Sequence, residues 1–365
     1  MNPRLCLVLL GLAAGCGAAT AKVDPTCDGA APYAARGPYS VGVRTFTRGS
    51  TVVEVWYPSS SAPAQLEPRA SYDLRDWMPA PLAAMIAAEA PTRYTMEAVR
   101  DAPLLGGSAP LPVVLFSHGL AAYRSQSSFL TAHLASWGWV VAAPDHPERG
   151  LARLVQNQVP VFNRGAETLR FTVGVLRELN APSAEFEGRL GLDKIAVSGH
   201  SAGGGTANAV ASDADVAVWV AMASGAFQAS PDKPVLLLSG ERDGIVPTTT
   251  VKEAFDGLSA AGSRYRELRG IGHLAFSDIC SIGRSAGGIV QIALDSGIVI
   301  SDFLVTLAKD GCRPDDVLPE RAWPAIQHFV TSTLRSGLGI DPSPVGLDAA
   351  ADACFQGLVG ESLNH

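Results

Sequence analysis

The sequence predicts an α/β protein with a mostly parallel central sheet, helices on both of its faces and an antiparallel hairpin at its start. Short apolar segments alternate with segments of helical periodicity, which is the pattern of a parallel sheet. The predicted parallel strands cover 112–117, 139–144, 194–198, 216–222, 234–239 and 264–268. The predicted helices lie near 125–136, 164–179, 202–212 and 248–260. Upstream, residues 41–48 and 51–58 alternate apolar with polar residues around Gly49 and Ser50, which predicts the hairpin.

Composition sets the outer bounds. The chain has 365 residues, of which 47% are hydrophobic and 17% charged, so it can bury one large core. We expect a single, monomeric domain over 36–365, with a helical insertion at about 60–105 in which helix-favouring residues are interrupted by Pro79, Pro81 and Pro91. A net charge of −7 and the lack of a basic run argue against nucleic acid as a partner.

The first residues have the pattern of an export signal. An arginine precedes the apolar run from Leu5 to Ala14, which is too short to span a bilayer. The run ends at Cys16 in a segment that resembles the lipobox of bacterial lipoproteins, whose cysteine is lipidated and tethers the chain to a membrane. Ordinary cleavage after 19–21 is the alternative. We expect a signal peptide at 1–15, a tether at 16–35, and a mature protein that is a periplasmic or cell-surface lipoprotein or is secreted.

Four cysteines remain beyond the signal and the lipidation site: Cys27, Cys280, Cys312 and Cys354. An even number in an exported protein suggests two disulfides, and four cysteines allow three pairings. We favour Cys280 with Cys312, which bracket the helical stretch after residue 273, and Cys27 with Cys354, near the two ends of the mature chain. No two of these cysteines have close ligand spacing, so we expect no zinc, and no other metal or organic cofactor is implied.

A candidate nucleophile lies in the middle of the chain. Residues Ile195–Gly205 contain a G-x-S-x-G pentapeptide centred on Ser201, preceded by a β-branched strand and followed by a small-residue run that is compatible with a helix. A strand that turns directly into a helix forces the central residue into a strained conformation and exposes its hydroxyl above the sheet. The same turn directs the first free amides of the helix toward the atom that the hydroxyl attacks.

The acid and base of such a site should follow as Asp or Glu and then His. Asp243 lies on the loop after the apolar strand Pro234–Ser239, and His273 lies on a glycine-flanked loop after Arg264–Leu268. Both loops are at the carboxyl edge of the sheet, where ligands bind in open α/β proteins. The alternatives are a turn-forming aspartate and an ordinary loop histidine. Should Asp243 not serve, Asp278 is the next carboxylate to consider.

Acyl transfer also needs two backbone donors for the developing oxyanion. One comes from the residue after the nucleophile, here Ala202. The other comes from the turn after the strand Leu111–Ser117, here Leu120. We interpret His118 as a structural residue of that turn, because it precedes the donor and His273 already supplies a base.

Pocket walls are harder to assign from sequence. Phe276 follows the base by three residues and is a candidate wall, and Trp77 and Met78 of the insertion are further candidates. Packing of the insertion against the sheet is the alternative for the latter two. Arg149, after a strand end, we interpret as part of a hydrogen-bonded loop scaffold rather than as a substrate contact.

Three of these segments together carry a family resemblance. The chain resembles the platelet-activating-factor acetylhydrolases and their bacterial dienelactone-hydrolase-like relatives at Phe116–Arg124, Leu134–His146 and Ile195–Gly204. The resemblance covers most of residues 40–335. It implies the α/β-hydrolase fold and a serine esterase, with the roles given above for Ser201, Asp243, His273, Leu120 and Ala202. Dienelactone hydrolases usually have a cysteine nucleophile, and this chain has serine.

A second resemblance is to the bacterial cutinases and polyester hydrolases, at Gln126–Ser128, Gly199–Thr206 and Gly240–Pro247. Those enzymes usually have Met after the nucleophile and an aromatic residue at the oxyanion turn, where this chain has Ala202 and Leu120. We therefore expect a serine hydrolase of short-chain acyl esters, including esters of lipids, with a cutinase-like polyester hydrolase as the alternative. A non-catalytic lipoprotein that uses the fold as a binding module is a third reading, which intact Ser201, Asp243 and His273 argue against.

Overall fold

The structure is a computed structural model that describes residues 27, 29–62, 67–355 and 357–365. The expected signal peptide, the lipidation site at Cys16 and most of the tether lie outside these residues. The described strands are β1 (Ser40–Arg48), β2 (Thr51–Ser59), β3 (Ser71–Asp73), β4 (Arg93–Thr95), β5 (Val99–Arg100), β6 (Leu111–Ser117), β7 (Val140–Pro144), β8 (Leu190–His200), β9 (Val216–Met222), β10 (Val235–Gly240), β11 (Arg264–Leu268) and β12 (Val359–Asn364).

The helices alternate with the parallel strands. They are α1 (Ala80–Ala83), α2 (Ser128–Ser136), α3 (Leu151–Val155), α4 (Gly165–Leu179), α5 (Ala202–Val210), α6 (Thr248–Asp256), α7 (Gly288–Asp295), α8 (Asp302–Lys309), α9 (Pro319–Leu338) and α10 (Ala349–Cys354). All six predicted parallel strands and all four predicted helices are present, with ends that differ by a few residues. In the described part of the chain, no helix is long and apolar enough to cross a membrane.

The central sheet has ten strands in the order β12-β11-β10-β9-β8-β6-β7-β2-β1-β5. Strands β7, β6, β8, β9, β10 and β11 run parallel to their neighbours in this series. The predicted hairpin is β1 and β2, which pair antiparallel from Arg48 with Thr51 to Ser40 with Ser59. Strand β12 adds an antiparallel edge beside β11, which the sequence did not predict. The predicted fold class, a mostly parallel sheet with an N-terminal antiparallel hairpin, is confirmed.

Helices cover both faces of the sheet because strand residues alternate between the faces. In β9, Val218 and Val220 belong to the core beneath α2 and α9. Trp219 and Ala221 belong to the core beneath α4 and α6. The middle of the sheet is therefore covered by apolar side chains on both faces.

In the described residues, the insertion at 60–105 contains only short helical turns, so it is not the largely helical segment that the sequence predicts. Its helix α1 has four residues, a 3₁₀ helix at Leu74–Trp77 has four more, and the rest forms β3, β4, β5 and connecting loops. Strands β3 and β4 pair with each other, and β5 pairs with β1 through Gly42 and Val43. The prolines explain the outcome, because each lacks a backbone N–H and they leave segments too short for a helix.

Two further expectations concern where the folded part begins and how the cysteines pair. The tether was expected to extend to residue 35, but Ala31, Tyr33 and Ala34 are buried in the core. Tyr33 packs edge-on against Trp137 and donates a hydrogen bond to Asp341, so the folded part begins earlier. The structure contains both favoured disulfides, Cys27–Cys354 and Cys280–Cys312, with Cα atoms 5.6 and 5.1 Å apart.

Candidate active site

Ser201 lies at a sharp turn between β8 and α5. Its backbone has φ 55° and ψ −123°, a strained conformation for a residue with a side chain. The Ser201 amide donates to the Met222 carbonyl at 2.8 Å, which ties the turn to β9. A β-carbon at Gly199 would overlap the Gly203 carbonyl, and one at Gly203 would overlap the Ser117 carbonyl, so both positions require glycine. The turn therefore presents the Ser201 side chain to a cavity of about 630 Å³.

Asp243 and His273 are hydrogen-bonded to each other. His273 Nδ1 lies 2.8 Å from Asp243 Oδ2, and both side chains are buried. The second Asp243 oxygen accepts the Ile245 and Val246 amides at 2.8 and 2.7 Å. The two readings of Asp243 from sequence are thus compatible, because one oxygen shapes the turn and the other holds the histidine. With its proton on Nδ1, the imidazole keeps a free lone pair on Nε2.

His200, the residue before Ser201, holds the His273 loop close to the turn at Ser201. His200 Nε2 donates to the His273 carbonyl at 3.0 Å, and the two rings are 4.8 Å apart. Within the described residues, Ser201 Oγ and His273 Nε2 form no direct hydrogen bond. Such bonds are often long without substrate and tighten when it binds.

The turn predicted to supply the other oxyanion donor packs against Ser201. A β-carbon at Gly119 would lie 3.2 Å from Ser201 Cβ, so the turn after β6 closely approaches the turn at Ser201. Neither the Leu120 amide nor the Ala202 amide donates to any described group of the protein. Ala202 is also the first residue of α5, where backbone N–H groups favour negative charge. Both amides are available to a bound oxyanion.

Gln126 links this turn to His200, the residue that contacts the His273 loop. Its Oε1 accepts the Gly119 amide at 2.9 Å, and its Nε2 donates to His200 Nδ1 at 2.8 Å. Because His200 Nε2 donates to a carbonyl, this arrangement fixes its neutral tautomer. Burial lowers the pKa of His200 well below its ordinary value, which keeps the ring neutral.

His118 has the structural role expected from sequence. Its Nδ1 donates to the Gly119 carbonyl at 2.8 Å, and its Nε2 accepts the His146 amide at 2.9 Å. Burial lowers the pKa of its side chain well below the ordinary value. Both ring nitrogens are engaged in shaping the turn.

Asp278 is not an alternative acid. Its carboxylate accepts the Ser128 and Phe129 amides at 2.7 and 3.0 Å at the start of α2. Burial raises its pKa to about 7, partly offset by these hydrogen bonds. The side chain caps a helix and does not contact His273.

Asp310 is a residue of the site that the sequence analysis missed. It is buried beneath the loops of Asp243 and His273, and its hydrogen bonds connect them. It lies two residues before the disulfide cysteine Cys312, but its contact with His273 joins positions 37 apart in the chain. No local pattern marks it.

The predicted pocket residues have different outcomes. Phe276 as a pocket wall is wrong, because it is fully buried in the core. The chain turns in a 3₁₀ helix at His273–Phe276, which directs the phenyl ring inward. Trp77 stacks on Tyr123 with ring centroids 4.3 Å apart and donates to Asp145, so it packs the insertion, which was the alternative reading. Met78 does line a cavity.

That cavity is narrow, apolar and adjacent to the site. Its volume is about 90 Å³. It is lined by Leu120 of the turn after β6, by Leu274, which follows His273, and by helices α7 and α8. The wider cavity at Ser201 is lined by Ala202 and by Ile245 and Val246 of the Asp243 loop. Two cavities of different size and polarity therefore flank the turn at Ser201.

Comparisons with known proteins bear on the fold and on the class of enzyme. Residues 32–158 match the family model of platelet-activating factor acetylhydrolase, isoform II, and residues 102–224 match the model of chlorophyllase. A ferulic acid esterase from Streptomyces cinnamoneus has a similar structure, with 23% identity and a TM-score of 0.62 over 86% of this chain and 94% of that one. They support the predicted fold and an ester-cleaving enzyme, and they leave the non-catalytic binding module without support.

Proposed function

We propose that this chain, a carboxylic ester hydrolase with the α/β-hydrolase fold, cleaves short-chain acyl esters through an acyl intermediate on Ser201. The observation that carries the proposal is the Asp243–His273 hydrogen bond of 2.8 Å, on loops that adjoin the strained Ser201 turn. A nucleophile, a base and a group that orients the base are the minimum for such a reaction.

The proposed reaction has two halves. His273 Nε2 removes the Ser201 proton as Oγ bonds to the ester carbonyl carbon, and the carbonyl oxygen becomes an oxyanion. The Leu120 and Ala202 amides donate to this oxyanion, while Asp243 stabilises the imidazolium. When the tetrahedral species collapses, the alcohol leaves with the proton from His273. A water molecule, deprotonated by His273, then attacks the acyl-serine, releasing the acid and regenerating Ser201.

The two cavities supply the argument about substrate. We assign the acyl group to the apolar cavity, whose volume of about 90 Å³ admits a short chain. The alcohol faces the wider cavity of about 630 Å³, which leaves room for a larger leaving group. Burial of each methylene contributes about 0.8 kcal/mol until the cavity is full, after which a longer chain only adds steric cost.

The test begins with the nucleophile. Ser201→Ala should fold normally and lower ester turnover by several orders of magnitude, because the three residues act as a unit. The matched control is Ser212→Ala, which changes an exposed serine just after α5. An alkylphosphonate probe should label Ser201 in the wild type. Retention of a tenth of the activity by Ser201→Ala would reject the proposal.

Substrate class is tested with p-nitrophenyl esters from acetyl to palmitoyl, alongside methyl ferulate and a polyester film. We expect kcat/KM to be highest for acyl groups of about two to six carbons. Similar rates on butyryl and palmitoyl esters, or release of monomer from the film, would instead favour a polyester hydrolase.

A further inference from the structure

A single arginine lies buried behind the proposed oxyanion hole. Arg149 has no exposed surface, and within the described residues it forms no ion pair with a carboxylate. Glu148 acts on it only through space. The neighbouring rings of His118 and His146 are kept neutral, because burial lowers the pKa of each. A buried cation without an ion-pair partner is costly, and ionisable groups in such perturbed environments cluster at functional sites.

The guanidinium contacts the segments that carry both proposed donors. On the Leu120 side, Nη2 donates to Ser117 Oγ at 2.8 Å and to the His118 carbonyl at 3.0 Å. On the Ala202 side, Nη1 donates to Thr206 Oγ1 at 2.9 Å.

The contact on the helix side reaches the donor residue itself. Thr206 Oγ1, which accepts from Arg149, in turn donates to the Ala202 carbonyl at 3.1 Å. The main chain of Arg149 adds a further connection, because its carbonyl accepts the Ala121 amide at 2.9 Å. Space around the guanidinium is tight, since a β-carbon at Gly165 would lie 2.7 Å from Nη1.

We propose that Arg149 is a positioning residue for the oxyanion hole, which sets the distance between the Leu120 and Ala202 amides and places a buried positive charge behind them. The inference rests on the proposed function. In the free enzyme this charge has no ion-pair partner among the described residues, whereas the tetrahedral intermediate supplies a negative charge on the other side of the two donor segments. The attraction is therefore stronger in the transition state than in the ground state, which is the condition for lowering the barrier.

The first test uses Thr206, because its hydroxyl can be removed with little change of shape. Thr206→Val leaves Nη1 of Arg149 without its acceptor and removes the side-chain donor to the Ala202 carbonyl. We expect kcat to fall by about tenfold, with KM within about twofold, since the loss concerns the oxyanion. Thr206→Ser retains the hydroxyl and should recover most of the lost kcat.

A boronic acid supplies a readout that a purely structural role would not move. An alkylboronic acid bonds to the serine and forms a charged tetrahedral adduct, so its inhibition constant reports on the oxyanion hole. In Thr206→Val and in Arg149→Lys, this constant should rise in proportion to the fall in kcat. Lysine keeps the charge but cannot reach three acceptors with fixed geometry.

The outcomes separate this inference from the proposed function. Labelling of wild-type Ser201 by the phosphonate tests the nucleophile independently of Arg149. A folded Thr206→Val with wild-type kcat and unchanged boronic acid affinity would overturn the role of Arg149, even if Ser201 is the nucleophile. If Arg149→Lys does not fold, Thr206→Val and Thr206→Ser still decide.

Discussion

The carboxylate of Asp310 accepts the main-chain amide of His273, with 2.7 Å between Oδ1 and the nitrogen. Its other oxygen accepts the amide of Gly244, the residue after Asp243, at 3.0 Å. Arg313 donates to the same oxygen at 2.9 Å. One buried side chain thus connects the loops of the proposed acid and base. We therefore expect this connection to set the distance between Asp243 and His273.

We expect Asp310→Asn to lower kcat by about tenfold or more, because an amide offers one acceptor where the carboxylate offers two, and a shift of about 1 Å in a catalytic group can cost on the order of 100-fold. The measurement is steady-state kinetics together with a thermal unfolding curve. Asp295→Asn, on the exposed surface of α7, is the control. A folded Asp310→Asn with wild-type kcat would show that the two loops hold their positions without it.

The second prediction concerns the acid. In Asp243→Asn the amide oxygen can still accept from Ile245 and Val246, which leaves the NH2 group facing His273 Nδ1. The imidazole must then carry its proton on Nε2 and cannot act as a base. We expect kcat to fall by about 10⁴-fold, with a small change in unfolding temperature. An active Asp243→Asn would show that another group orients His273.

The proposed nucleophile, acid and base could be predicted from the sequence. The residues that hold them in position could not. Ser201, Asp243 and His273 each follow a strand that the sequence predicts, and parallel strands bring their carboxyl ends to one edge of the sheet. Asp310 and Arg149 act through tertiary contacts, such as that between Arg149 and Thr206 across 57 positions, which no local pattern encodes. The prediction that Phe276 is a pocket wall failed for a similar reason, because the spacing of Phe276 from His273 does not tell which way the loop turns.

The third prediction concerns the Cys280–Cys312 disulfide, which joins residues 32 positions apart. Replacing both cysteines by serine should lower the free energy of unfolding by about 3 to 4 kcal/mol in the chain-entropy model. Because Cys312 lies next to the Asp310–Gly311 segment, we expect kcat to fall as well. Replacing Cys27 and Cys354 is the control, since that pair is distant in sequence from the site and should affect stability alone. Equal kcat values in both double variants would contradict the link to Asp310.

The fourth prediction is loss of stability in acid. Burial lowers the pKa of His118, His146 and His200 well below the ordinary value, that of His133 to about 3 and that of His328 to about 4. These rings bind protons in the unfolded chain before they do so in the folded protein. As the pH falls below the unfolded value of about 6.5, each ring lowers the stability, with a slope that approaches about 1.4 kcal/mol per pH unit once the ring is fully protonated in the unfolded chain.

Asp278 works in the opposite direction, and so does Glu267, because burial raises the pKa of both carboxyls. The raised pKa of Asp278, about 7, means that the folded protein holds a proton there, so its contribution is present below the unfolded value of 3.8 and is lost as the pH rises through 7. Five histidines outweigh the two carboxyls between pH 5 and 6.5. Urea unfolding across pH 5 to 8 should show a free energy of unfolding that decreases steeply toward pH 5. A free energy independent of pH in this range would mean that the histidines titrate in the folded protein.

The last prediction concerns the apolar cavity as a limit on acyl length. Met78 lines it and is only half-buried, so Met78→Ala should widen the cavity at small cost to stability. Each added methylene that then becomes buried is worth about 0.8 kcal/mol, or roughly fourfold in kcat/KM. The ratio of kcat/KM for octanoyl over butyryl esters should therefore rise by about tenfold or more. Met85→Ala is the matched control, because Met85 is 45% exposed and does not line the cavity. If both variants keep the wild-type ratio, the acyl chain binds elsewhere, and the wider cavity at Ser201 becomes the place to look for it.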